Sequence, residues 1–479
     1  MNLRNLTPEE KNISSSLIIN FNERIQKAGI SLHSTLLYAD DSIISEVYFA
    51  PFKKGELHRM FSVAKSVIAI GIGLLCDEGR ISLDDSIVKY FPEKLPKEVH
   101  PYLAQLTIRD MLMMRTCHAK TTYDKYDLTS NWVGSYFTTT PTHAPGTVFN
   151  YDTSAPHVLS ALIEKLTGRE TWNYIRDSLP ALGLSRESYM IKDRQGVSFG
   201  GSGLVATDED LLRLGIFFMN EGCIDGTQLI NKAFCKDAVS RLTSDCVASH
   251  LPSDNCGYGY YVWTTGRDGY LLYGMGGQLV IICPEKRIIL ATTANTQGFK
   301  GGNRIIYDAF YEEIIDKIGT VSIDARDYEA LKTYSANARM NTVLSTVEGA
   351  YVPGKDDYKD VVYALSDNDR GYKALRFRLT EDGGVLTLET EKGQKQEFTF
   401  GYGVNKKGTL PLYGDTTYAS GAYSEENTFL ITLHIIGERV GSVNFKIDFK
   451  GDKIYIADSK IEETCFNEFN MNLSGALTN

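Results

Sequence analysis

The chain has 479 residues, 43% hydrophobic and 23% charged, with a formal net charge of -10. That balance describes a globular protein long enough for two domains, or three, each with its own core. An acidic chain without a Lys/Arg cluster offers no electrostatic footprint for nucleic acid or an anionic membrane surface, so neither is an expected partner.

Met1 to Lys11 lacks the apolar core of a signal peptide, and the longest apolar run, Val67 to Leu75, is half of the ~18 residues a membrane span needs. Eight cysteines are scattered without a C-x-x-C pair, which supports neither a zinc knuckle nor a disulfide framework and fits reduced thiols in a cytoplasmic protein. His-Glu-x-x-His, Walker A and Gly-x-Ser-x-Gly are absent as well. Gly200-Gly201-Ser202-Gly203-Leu204 departs from the last of these at Leu204. No metal or cofactor is expected.

Residues 8 to 27 read as an amphipathic helix opened by Thr7-Pro8, and Ser34 to Phe49 as a hairpin turning at Ala39-Asp40-Asp41. Next comes Met60-Phe61-Ser62-Val63-Ala64-Lys65, the start of a helix that runs apolar nearly all round to Leu75, as a buried helix does. Ser62 and Lys65 are three apart and share a helix face at about 5 to 6 Å between Cβ atoms, so a hydroxyl can meet an amine. A lysine inside such a helix is poorly solvated, which lowers its pKa and makes it available as a base. Ser62 at the helix start also has a backbone N–H unpaired within the helix, as an oxyanion donor requires. The alternative is an N-cap serine beside a snorkelling lysine. A second Ser-x-x-Lys, Ser86 to Lys89, lies in a capped short helix on a charged surface, ended by Pro92, and is read as structural.

Leu106 to Leu112 has the signature of a capped helix start. Arg115 to Thr142 reads as polar and irregular, with Tyr123, Tyr126, Trp132, Tyr136 and Phe137 along it, the texture of a segment that lines or covers a site. Tyr151 follows the turn at Pro145-Gly146-Thr147, just before a helix that extends to Gly168; it is either a functional phenol or a ring packed at a helix start. Gly200 to Leu204 leads into a helix over Asp208 to Asn220, and His250 to Asn255 is a polar loop.

Three strands of an antiparallel meander are expected next: Tyr258 to Thr264, Tyr270 to Tyr273 running into Gln278 to Cys283, and Arg287 to Ala294. The glycines of Gly274-Met275-Gly276-Gly277-Gln278 interrupt the middle strand, either for close approach of a ligand or as a bulge. Asn303 to Ile318 reads as a closing helix, and residues 319 to about 345 as helix or linker. Beyond them, Leu375 to Leu379, Val385 to Leu388, Phe429 to Ile435 and Val443 to Phe449 alternate with period two, which indicates an antiparallel barrel or sandwich. Its apolar face is a core or, as in lipocalins, the wall of a ligand cavity. The division expected is 1–330 for the first domain and 345–479 for the β domain.

Ser62-Val63-Ala64-Lys65, Tyr151-Asp152-Thr153 and Met275-Gly276-Gly277-Gln278, in that order, resemble the three motifs of the class C β-lactamase, penicillin-binding protein and family VIII esterase superfamily. Pro145-Gly146-Thr147, Gly201 to Thr207 and Pro284-Glu285-Lys286 agree, and the likeness covers roughly residues 20 to 318. The resemblance implies an α+β fold: an antiparallel sheet flanked by helices plus a helical subdomain, here followed by an all-β barrel-like domain. It implies Ser62 as the acylated nucleophile, Lys65 and Tyr151 sharing the work of the base, and the N–H groups of Ser62 and Gln278 as oxyanion donors, each worth about 3 kcal/mol of barrier.

Two positions depart from the family pattern. Thr153 stands where asparagine is common. Met275 replaces the lysine or histidine that meets a substrate carboxylate, so an anionic β-lactam or D-alanyl peptide would lose a contact worth ~1.5 to 3 kcal/mol. The expected function is therefore a cytoplasmic serine hydrolase of small esters or amides. Its rivals are a non-catalytic binding or sensor homologue, an acyltransferase, and an amidase of the β-lactamase or D-aminopeptidase type. Self-assembly into a homo-oligomer stays open. With Lys65 and Tyr151 present no histidine base is needed, and His118, His143 and His157 are read as packed or hydrogen-bonded side chains.

Overall fold

The computed structural model describes the chain except residues 2, 125–129, 245, 247–255, 350–359, 462–467 and 479. The readings placed on Tyr126 and on His250 to Asn255 fall outside the described residues. The chain divides into two compact units, Met1–Asn341 and Thr342–Asn479.

Among the described residues an eight-stranded sheet organises the first unit, in the order Arg4–Asn5, Ser42–Tyr48, Ser31–Ala39, Ile288–Asn295, Gln278–Cys283, Tyr270–Gly274, Trp263–Thr264, Gly257–Tyr258. Its pairings are antiparallel apart from the parallel edge strand Arg4–Asn5. Every residue of Gln278–Cys283 is buried, so the strand is covered on both faces. That explains why it reads as an unbroken apolar run rather than an alternating one. The Asp208–Met219 helix packs on this strand and on Ile288–Asn295, and Ser15–Lys27 packs on Asp327–Met340.

Local signals behave as their chemistry requires. Thr107 and Asp110 form a reciprocal capping box, as do Thr207 and Asp210. The Ser154–Thr167 helix ends at Gly168, in the left-handed conformation. The first helix is shorter than expected: it spans Ser15–Lys27 with Ser14 as its cap, because Asn12 in the left-handed region separates it from the Glu9–Lys11 turn. A short helix, Trp132–Thr138, interrupts the segment read as irregular and is capped by Asn131. The closing helix is regular only over Gly302–Ala309 and then widens into a π turn.

Two expected strands are folded differently. Tyr258 to Thr264 is a tight hairpin of two short strands, with Tyr261 at φ +57° and Gly259 N–H donating to Val262 O. Tyr270–Gly274 does not run on into Gln278–Cys283: the chain reverses over Met275, Gly276 and Gly277, and Gly274 pairs with Gln278. Gly276 and Gly277 have φ of +80° and +92°, which only glycine adopts at no cost, so they make a turn instead of a bulge.

In the second unit nine strands, among the described residues, close into a barrel: Lys395–Gly401 through Asp360–Leu365, then Asn472–Leu477 back to Thr416–Glu425, which meets Lys395–Gly401 at Gly401 and Ser420. Alternate residues fill the interior. Phe377 meets Phe429 at 5.1 Å between ring centroids and Phe398 meets Phe445 at 5.0 Å, within a cluster that includes Leu375, Leu386, Ile431 and Val443. The space a lipocalin-like cup would keep for a ligand is occupied by these side chains.

Candidate active site

The site begins with a sharp change of direction. His58–Phe61 is a short strand paired with Leu204–Ala206, and the Val63–Asp77 helix starts two residues after it ends. Phe61 makes the corner at φ +46°, a conformation that costs a residue with a Cβ of order 1 kcal/mol and concentrates at functional sites. Ser62 occupies the N-cap position, yet its side chain makes no capping hydrogen bond. Its hydroxyl faces Lys65 Nζ at 2.9 Å instead. Lys65 is 1% exposed, so it does not snorkel; its Nζ donates to Gly201 O at 2.6 Å. Neither half of the structural alternative describes this pair.

Tyr151 reaches the same place from another element. The Ser154–Thr167 helix is opened by Asp152, which is fully buried and accepts from Ser154 N–H at 2.8 Å and from Ala155 N–H at 2.9 Å. These bonds, made from one residue before the Thr153 N-cap, anchor the backbone next to Tyr151. Lys65 Nζ lies 4.8 Å from the centre of the Tyr151 ring, which stacks on Trp263 at 5.5 Å. Burial pushes the Tyr151 pKa above the ordinary phenol value, and a hydrogen bond with Ser62 works in the opposite direction. Thr153 donates its N–H to Thr121 Oγ1 at 3.1 Å and lies against Gly201.

The third motif lies in the Gly274–Gln278 turn. A Cβ at Gly274 would stand 2.4 Å from Met60 O, so this strand end lies directly against the backbone that leads into Ser62. Met275 is half-buried and puts no charge there. Gln278 is fully buried, and its side-chain amide bonds Met275 O and Ala294 O, so any oxyanion donor it supplies is its backbone N–H.

Three separate segments thus bring a hydroxyl, an amine, a phenol and a glycine turn together, and a family model for Beta-lactamase matches residues 20–310. The chain belongs to the beta-lactamase family. That family includes amidases and esterases. A 6-aminohexanoate-dimer hydrolase of Paenarthrobacter ureafaciens is 24% identical over 262 residues, which cover 50% of this chain and 66% of that protein, just under two-thirds of its length. Among solved structures, EstCE1, a hydrolase with promiscuous acyltransferase activity, has a TM-score of 0.51 at 17% identity, covering 62% of this chain and 98% of EstCE1. An octameric penicillin-binding protein homologue from Pyrococcus abyssi has a TM-score of 0.50 at 15% identity, over 96% of this chain and 99% of its own.

In this beta-lactamase-family chain the histidines are engaged elsewhere. His157 Nε2 is 2.9 Å from Asp193 Oδ2, both fully buried, while His143 Nδ1 is 2.8 Å from Thr142 Oγ1. His118 packs edge-on against Tyr136, and burial lowers its pKa. The second Ser-x-x-Lys is likewise separate: Ser86 Oγ donates to Ala104 O and Lys89 pairs with Asp85. Among the described residues no cluster of three or more His, Cys, Asp or Glu is placed to hold a metal ion, and no helix is long and apolar enough to cross a membrane. Sequence reasoning missed the Gly201 carbonyl and Trp263. The Gly200-Gly201-Ser202-Gly203 run carried a signal for the first, since glycines cluster where backbones approach closely.

Proposed function

We propose that the chain hydrolyses small uncharged esters or amides through an acyl-enzyme on Ser62. The observation that carries this reading is the buried Lys65 amine, 2.9 Å from a serine hydroxyl that caps nothing. Lys65 takes the Ser62 proton as Oγ attacks the substrate carbonyl. Tyr151, a phenol at neutral pH whose pKa burial holds above the ordinary value, relays a proton toward the leaving group while receiving one in return. The N–H groups of Ser62 and of Gln278 in the facing turn bind the oxyanion, and Gly276, Gly277 and Thr153 shape the walls around it. Water then attacks the ester on Ser62, and the same groups return the proton.

Neutral Met275, in place of a cation, favours uncharged substrates over anionic β-lactams. The name of the Paenarthrobacter relative supports linear amides, and EstCE1 supports acyl transfer as a side reaction. We assign residues 1–330 to the hydrolase and 345–479 to a separate barrel module. Thiols at seven described cysteines support the cytoplasm as its compartment, and the Pyrococcus octamer supports a homo-oligomer.

The test is intact-mass labelling by a fluorophosphonate alongside p-nitrophenyl ester turnover. The expected result is one adduct, lost together with turnover in Ser62→Ala. No adduct and no turnover in the wild type would refute the reading and leave a binding protein in its place.

A further inference from the structure

All four carbonyls of the Gly274–Gly277 turn are tied by hydrogen bonds. Asn303 Nδ2 donates to Gly274 O at 3.1 Å, Gln278 Nε2 to Met275 O at 3.2 Å, Thr296 N–H to Gly276 O at 3.0 Å and Thr292 Oγ1 to Gly277 O at 2.8 Å. Gly274, Gly276 and Gly277 are buried, so their carbonyls take protein donors in place of water. The donors are themselves fixed. Gln278 Nε2 also donates to Ala294 O at 2.9 Å while its Oε1 accepts from Ala294 N–H at 3.2 Å, and Asn303 Oδ1 accepts from Thr296 Oγ1 at 2.6 Å. Asn303 and Thr296 are each 6% exposed, and Gln278 is not exposed at all.

Thr292, Ala294, Thr296 and Asn303 form one flank, the end of a strand and the helix start after it. In a trans peptide the C=O and the following N–H point in opposite directions. Carbonyls held against that flank turn the following N–H groups, those of Met275 and Gln278 among them, away from it. Asn303 also hydrogen-bonds the Tyr273 phenol, which lowers that group's pKa against the effect of its burial.

We propose that Asn303 and Gln278 are positioning residues that hold the turn's N–H groups ready for a developing oxyanion. This rests on the reading of Ser62 as an acylated nucleophile. The two side-chain amides act through the backbone and touch no substrate. Preorganised donors of this kind stabilise the transition state more than the bound substrate, so their misplacement lowers kcat and spares KM.

The test is Asn303→Asp, which puts an oxygen where Nδ2 donates to Gly274 O. For a p-nitrophenyl ester, kcat falls by about 10- to 100-fold with KM within about threefold. Affinity for phenylboronic acid, whose serine adduct places an oxygen at the oxyanion position, falls in parallel. A folded variant with kcat and boronate affinity within about twofold of wild type, or one with raised KM and unchanged kcat, overturns the proposal. Should Asn303→Asp not fold, Thr296→Val removes the hydroxyl that orients Asn303; a smaller kcat loss, recovered in Thr296→Ser, supports the clamp, and no loss overturns it. Fluorophosphonate labelling of the wild type separates the two claims. An unlabelled, inactive wild type defeats the Ser62 reading and the clamp with it, whereas a labelled, active wild type matched by Asn303→Asp defeats only the clamp.

Discussion

Gly201→Ala tests how closely the amine is held. Gly201 O receives Lys65 Nζ at 2.6 Å, and a Cβ added there would meet Thr153 Cγ2 at 2.3 Å and Thr153 O at 2.4 Å. The carbonyl belongs to the backbone of the helix start and cannot swing aside, so the Gly201 turn must retreat by about 1 Å to reach ordinary van der Waals contact. Overpacking of this kind costs about 1 to 3 kcal/mol, or about 1 to 4 °C in Tm for a unit that runs from Met1 to Asn341. The same retreat stretches the Lys65 contact beyond hydrogen-bonding range, and a shift of that size in a catalytic group lowers kcat by about 10- to 100-fold. Thermal denaturation read alongside p-nitrophenyl ester kinetics and the rate of fluorophosphonate labelling measures both effects. A variant with wild-type kcat and Tm would show that the Gly201 carbonyl does not hold Lys65.

Lys65→Met removes the proton acceptor at constant burial; ester kcat is expected to fall by about 10²- to 10⁴-fold without unfolding, checked by circular dichroism and turnover. Ser86→Ala, in the second Ser-x-x-Lys, leaves turnover unchanged and costs about 0.5 to 1.5 kcal/mol through the lost bond to Ala104 O, read by denaturant titration. His58, whose Nε2 lies 2.8 Å from His33 Nδ1, is depressed by burial from 6.5 to about 4, so the unfolded chain binds the proton first and stability falls as pH drops from 6.5 toward 4. Asp208, raised by burial from 3.8 to about 6, works in the opposite direction over nearly the same window. The expected observation is a difference: denaturation midpoints of His58→Gln fall less than those of the wild type between pH 7 and pH 4.5.

What could be read from sequence was what is local. Ser62 and Lys65 lie one turn apart, so their meeting follows from helix geometry, and Thr107 with Asp110 or Thr207 with Asp210 carry their caps within four residues. The alternating runs after residue 360 fold as strands because one face of each must be buried. The reversal at Met275–Gly277 was hidden because glycines within an apolar run are compatible with an interruption or a turn. The antiparallel pairing of Tyr270–Gly274 with Gln278–Cys283 decides between them. Tyr258 to Thr264 splits for a related reason, since its aromatic residues read as strand while Tyr261 is forced to positive φ. Gly201, Trp263 and Asn303 reach the site from more than a hundred residues beyond Lys65, and only glycine clustering hinted at the first.

The position of Ser31–Ala39 in the sheet has a consequence during synthesis. This strand is flanked on one side by Ser42–Tyr48, made directly after it, but its other neighbour is the much later Ile288–Asn295. At 5 to 20 residues per second a ribosome needs roughly 10 to 50 s to deliver that partner. Through this interval the nascent hairpin presents an unpaired edge, open to other chains. Any fragment that stops short of residue 288 keeps that edge permanently, so halves of this unit are expected to stay soluble only when produced together.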